Sequence, residues 1–288
     1  MTTGQGPRHE EDLGDPAFLR SLVELAGSIA REAGQVLADR FSAAGPAQGV
    51  TDSVRSKSTL TDLVTEADQA SERLIVSRLL AERPTDAIVA EEGSSREGTS
   101  GLTWVVDPLD GTINFVYGFP VFAVSIACRS SQGPTAAVGV VHDPVRDETF
   151  SAVSGGGAFR DGVRLALGPA PELGEALVGT GFSYQSARRR AQAALLGHVL
   201  PRVRDIRRAG AAALDLCWVA AGRLDGFYEA GLAPWDLAAG SLIVTEAGGT
   251  VEQLDGLLRG HGDVSTLIAA APGLGAPLRE LLRGARAE

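Results

Sequence analysis

The chain has 288 residues, 44% of them hydrophobic and 22% charged, with a formal net charge of −10. That length suffices for one large core or two joined lobes, and the composition is ordinary for a globular protein. The excess of acid disfavours non-specific binding to nucleic acid or to an anionic membrane. No apolar run has the length needed to span a bilayer. Cys128 and Cys217 both lie in apolar stretches and read as buried free thiols of a reducing cytoplasm.

Met1 to Asp15 is polar, lacks the apolar segment of a secretory signal and is expected to be a disordered tail. Pro16 to Phe41 has the periodicity of an amphipathic helix, with Phe18, Leu22, Leu25, Ile29, Ala33 and Leu37 at three- and four-residue steps. Asp15 and Pro16 fit its N-cap and first position. Thr65 followed by Asp68 has the form of a helix N-terminus, with the helix running to about Leu80. Asp68 alone reads as a first-turn acid favoured by the helix dipole, and Lys57 as a solvated charge.

Thr85 to Glu92 reads as a strand that ends in two acids, Glu91 and Glu92. The run Trp104-Val105-Val106 has the look of a buried strand, and Pro108, which has no N–H, should end it at Asp107. Asp107 and Asp110 then stand three residues apart just past a strand end, followed by Gly111 and Thr112. Hard carboxylate oxygens suit a divalent cation, and free backbone N–H groups suit a phosphate.

Val121 to Arg129, Ala136 to His142 and Glu148 to Val153 read as an antiparallel meander joined by turn residues. Gly155-Gly156-Gly157 lacks the Lys-Ser/Thr of a P-loop and reads as a turn into a short strand, Ala158 to Arg160. The second half alternates. Strands are expected at 176–179, 205–208, 227–229, 251–253 and 265–270, and helices at 187–203, 210–222, 237–247 and 276–283. Asp236 would be the N-cap of the third of these helices. Arg188, Arg189, Arg190, Arg202, Arg204, Arg207 and Arg208 form the basic clusters and read as solvated charge. Strands interleaved with helices point to a layered α/β or α+β architecture.

Four segments carry a family resemblance. Asp107-Pro108-Leu109-Asp110-Gly111-Thr112-Ile113-Asn114-Phe115 resembles the signature of the inositol monophosphatase family. Trp235-Asp236 before Val244-Thr245-Glu246-Ala247-Gly248-Gly249 resembles its second signature. Ala90-Glu91-Glu92-Gly93 resembles its Gly-Glu-Glu-Ser segment, with Gly93 in place of Ser, and Lys57 to Asp68 resembles its Lys-Ser…Asp-Leu-Val-Thr…Asp stretch. Bacterial members, actinobacterial ones in particular, are the most similar.

The resemblance implies an α+β fold, an α-β-α-β-α layered sandwich shared with fructose-1,6-bisphosphatase. It implies a single catalytic domain from residue 16 to 288 with lobes of roughly 16–170 and 171–288, usually as a homodimer. It also implies hydrolysis of a phosphate monoester with two or three Mg²⁺ ions and sensitivity to lithium. Glu91, Asp107, Asp110 and Asp236 would be side-chain metal ligands, and Leu109 would offer its carbonyl. Thr112 with Asp68 would orient the attacking water, Glu91 would share in catalysis, and Lys57 would stand near a weaker metal position. Gly111 and Thr112 N–H groups would hold phosphate oxygens, and Gly210, Ala212, Glu229 and Asp236 would line the polyol side. Inositol 1-phosphate is the leading substrate, since Asn114-Phe115 favours the inositol branch. Histidinol phosphate is the runner-up, beside a promiscuous sugar or polyol phosphatase. A non-enzymatic alternative is an accessory factor of the transcription machinery, which some bacterial relatives are.

Overall fold

The computed structural model describes residues 10–44, 55–56, 63–258 and 264–285. A short antiparallel pair, β1 (Arg55–Ser56) and β2 (Leu63–Val64), precedes the main architecture. A seven-stranded sheet follows the chain order without crossing: β3 (Ala87–Ala90), β4 (Leu102–Asp110), β5 (Ala123–Ser130), β6 (Ala136–Asp143), β7 (Glu148–Val153), β8 (Gly157–Arg160) and β9 (Val163–Leu165). Only β3 and β4 pair in parallel; the other neighbours form the expected antiparallel meander. The second sheet contains β10 (Leu177–Thr180), β11 (Asp205–Arg207), β12 (Gly226–Ala230), β13 (Thr250–Leu254) and β14 (Thr266–Ala270), in the spatial order β11-β10-β12-β14-β13.

Helices α1 (Pro16–Ala44) and α2 (Glu66–Glu82) cover the outer face of the first sheet. The short α3 (Thr112–Val116) follows β4, and α4 (Ser186–Val199) follows β10. Helices α5 (Ala212–Ala220) and α6 (Pro234–Glu246) lie between the two sheets, while α4 and α7 (Gly275–Gly284) close the far side of the second. The result is the five-layer α-β-α-β-α arrangement with three apolar cores, one under α1 and α2, one around α5 and α6 between the sheets, and one under α4 and α7. Cys128 and Cys217 are buried and free, in two different cores.

Several boundaries differ from the expectations, each for a local reason. β4 does not stop at Asp107. It runs through Pro108 to Asp110, because the ladder to β5 shifts register between Asp107 and Asp110 and β3 has already ended opposite Val106. The bulge is what accommodates a residue without an N–H. α6 starts three residues earlier than its apolar pattern, with Pro234 at its first position. Asp236 is therefore in the first turn rather than the N-cap, and its Oδ2 accepts the Ala233 N–H at 2.7 Å. Glu10–Gly14 falls in the segment expected to be a disordered tail. It forms a short 3-10 helix whose Leu13 packs on the first core. The helix expected through Val203 ends at Val199 and gives way to a 3-10 turn around Pro201. The Gly155–Gly157 stretch is a turn as read, and its amides serve a carboxylate: Gly155 and Gly157 N–H groups donate to Glu246 of α6 at 2.7 and 2.9 Å.

Candidate active site

Four acids from three different segments line one cavity of about 260 Å³: Glu91 past β3, Asp107 and Asp110 on β4, and Asp236 on α6. Leu109, Gly111 and Thr112 line it beside them, and Gly210, Ala212 and Glu229 line it from the second half of the chain. Ten of the residues singled out in the sequence, from Glu91 to Asp236, thus line the same cavity. Lys57 lies outside the described residues. Asp68 is fully buried and stands behind the lining rather than in it.

Asp107 is 1% exposed, and its Oδ1 accepts the Leu109 N–H at 3.0 Å, which fixes the carboxylate at the bulge. Asp110 reaches across to the start of α5. Its two oxygens accept the Ala212 and Ala213 N–H groups at 3.2 and 2.7 Å. Ala211, the N-cap of α5, has no side-chain acceptor of its own, so Asp110 supplies the cap from β4.

Thr112 Oγ1 lies 2.9 Å from Asp68 Oδ1 and 3.1 Å from the Leu109 carbonyl. Asp68 Oδ2 in turn accepts the Thr65 N–H and hydroxyl at 2.7 and 2.6 Å, completing a capping box at α2. The helix-capping reading of Asp68 and the partnership with Thr112 therefore hold together. One oxygen serves each.

Burial raises the Asp107 pKa well above the usual carboxylate range, and the neighbouring charges of Glu91, Asp110 and Asp236 push it further. Asp110 is raised to about 7, first by burial, against the lowering effect of the two α5 amides. Glu229 is raised to about 8 by burial and by Asp236, with Arg208 opposing. Desolvated acids that repel one another form a donor set for a hard cation, which removes the repulsion. Among the described residues no three His, Cys, Asp or Glu side chains are drawn into one closed cation cage. The acids share a cavity wall rather than a point. Oxygen-only chemistry with mutual repulsion fits Mg²⁺ and does not fit a soft metal.

Sequence reasoning missed part of the lining. Phe182, Ser183 and Tyr184 enter from the loop after β10, and Trp235 sits beside Asp236. Arg208, read as solvated, lines the cavity as well, although it is exposed. Its neighbour Arg207 keeps the expected surface role, paired with Asp205 at 2.6 Å. Asn114 donates to the Val121 and Ala209 carbonyls at 2.8 and 2.9 Å, and Phe115 packs edge-on against Phe122. These two residues hold the site together from behind.

The sequence profile described as the inositol monophosphatase family matches residues 19–284. The chain belongs to the inositol monophosphatase family. An inositol-1-monophosphatase of Mycobacterium bovis is 44% identical, the match covering 90% of this chain and 91% of that protein. A protein of Pasteurella multocida named Nus factor SuhB is 42% identical, covering 88% of this chain and 92% of its own. Among solved structures, the extragenic suppressor protein suhB of Bartonella henselae superposes with a TM-score of 0.81 at 34% identity, over 91% of this chain and 98% of that one.

Proposed function

We propose that this protein is a Mg²⁺-dependent phosphomonoesterase that releases inositol and phosphate from inositol 1-phosphate. The observation that carries the reading is the set Glu91, Asp107, Asp110 and Asp236 on one cavity, with the Thr112–Asp68 pair directly behind it. Glu91, Asp107, Asp110, Asp236 and the Leu109 carbonyl would hold the ions. When bound, Mg²⁺ supplies neutralisation of phosphate charge and a more acidic water.

The chain's own residues do the rest. Thr112 directs its hydroxyl proton to Asp68 or Leu109, so its lone pairs face a water that must be aligned for attack. Asp68 is held by Thr65 on its other oxygen and keeps that direction fixed. Glu91, a part-buried carboxylate on the lining, is the acceptor for the proton that leaves the attacking water. Gly111 and Thr112 backbone groups position the phosphate, and Glu229 accepts from hydroxyls of the alcohol. No covalent nucleophile is required, because phosphoryl transfer depends on positioning and electrostatics.

The test is a Mg²⁺ titration of turnover against inositol 1-phosphate, histidinol phosphate and several sugar phosphates. Inositol 1-phosphate is expected to have the highest kcat/KM. A preference for histidinol phosphate by more than about tenfold, roughly 1.4 kcal/mol in the transition state, would reject the substrate assignment. We also propose a homodimer, to be checked by light scattering coupled to gel filtration. The names of relatives such as the Pasteurella Nus factor support a second reading, an accessory role in transcription. Association with RNA polymerase that survives Asp110→Asn would establish it as separate from catalysis.

A further inference from the structure

The phosphate is anionic in every phosphomonoester, so the acidic wall with its ions cannot tell one substrate from another. Selection falls on the opposite wall, where the alcohol departs. There the chain places an acid and a base, Glu229 and Arg208, over two glycines. A β-carbon on Gly181 would run into the Glu229 carboxylate, and one on Gly210 would run into Arg208 Nη1. Gly210 also has a φ of +89°, a conformation that other residues rarely adopt. The same β-carbon position lies 3.2 Å from Asn114 Nδ2, which is itself tied to Val121 and Ala209. The Arg208 guanidinium is thus seated against a fixed floor.

Arg208 is the one cationic side chain among the described residues of the cavity lining. No hydrogen bond or salt bridge among the described residues engages its guanidinium, so its donors face the cavity and solvent. Its charge acts on Glu229 and Tyr184, on the alcohol side.

We propose that Arg208, on the cavity that Glu229 also lines, sorts substrates by the charge of the alcohol they release, accepting neutral polyols and anionic alcohols and disfavouring alcohols that carry an ammonium group. The inference rests on the phosphomonoesterase reading and deepens it. Glu229 alone would attract an ammonium group. With Arg208 on the same lining, the wall offers guanidinium donors as well as the oxygens of Glu229. Adjacent hydroxyls of a polyol satisfy both. An ammonium group meets a like charge that cannot be deprotonated, and a carboxylate or second phosphate meets a fork of donors.

Three phosphomonoesters test this: inositol 1-phosphate with a neutral alcohol, histidinol phosphate with an ammonium group, and 3-phosphoglycerate with a carboxylate. In Arg208→Gln, kcat/KM for histidinol phosphate relative to inositol 1-phosphate is expected to rise about tenfold, and that for 3-phosphoglycerate to fall about tenfold. Arg208→Lys keeps the charge and should keep the wild-type order. In the wild type, raising the salt concentration should narrow the spread between the charged substrates, with a smaller effect in Arg208→Gln. An equal loss on all three substrates would overturn the proposal, since Arg208 would then act on the phosphate or the fold. Unchanged ratios would also overturn it. Wild-type protein inactive on all three would instead overturn the phosphomonoesterase reading itself.

Discussion

The two walls of the cavity are built by different means. On the β4 wall, Asp107 and Asp110 are almost fully buried, and backbone N–H groups hold their carboxylates. On the opposite wall, Glu229 is only part-buried and Arg208 is exposed, with the space for both left by glycines. On the proposed function the backbone-held wall does the chemistry common to all substrates, and it tolerates little displacement. The wall of side chains over glycines can be retuned without disturbing the metal set.

The largest effect should come from the first wall. Asp110→Asn is expected to fold and to lose about 10³ in Mg²⁺-dependent kcat/KM, the scale of several kcal/mol of metal charge stabilisation. Its amide also cannot accept from both α5 N–H groups, so a loss of about 1 kcal/mol in a urea titration should accompany it. Near-wild-type turnover at limiting Mg²⁺ would break the division between the walls. Thr112→Ala should lower kcat by about 10² with a smaller change in apparent Mg²⁺ affinity, and Thr112→Ser should recover most of it. A Gly181→Ala variant probes the second wall: the displaced Glu229 should raise KM about tenfold and leave kcat within a few-fold. A kcat effect as large as that of Thr112→Ala would show that the walls are not separable.

The smallest effect is on stability. Asp110 has a folded pKa of about 7, above its unfolded value. Such a group favours the folded state most at pH below about 4. That contribution is lost as pH rises through the folded value. Metal-stripped protein should therefore lose melting temperature between about pH 4 and 7, and added Mg²⁺ should restore more of it at pH 7 than at pH 5. A metal-free protein with a flat profile over that range would show that the acids are not mutually strained.

The first wall was legible in the sequence because its chemistry is contiguous: Asp107 to Thr112 is one turn of chain at a bulge. The helices and the meander were legible because periodicity reports burial. Pro108 inside β4 was not, since the break in the ladder that admits it belongs to β5. Arg208 was not legible either. Next to Arg207, which ends a short edge strand, it looks like any surface arginine, and only the fold sets it over Gly210 on the cavity that Glu229 also lines. Asp68 was readable as a cap, and its second partner, 44 residues away, came from the family resemblance alone.

The clasp between Asp110 and the first amides of α5 closes a span of more than a hundred residues. During synthesis, β3 to β9 leave the ribosome before α5 exists. At that stage Asp110 has no helix to cap, and Asp236 has not been made. A nascent chain therefore carries most of its acids before it has a site to form with them. On the proposed function, phosphate ester hydrolysis needs Asp236 and the α5 amides in place, so the reaction would report completion of the fold.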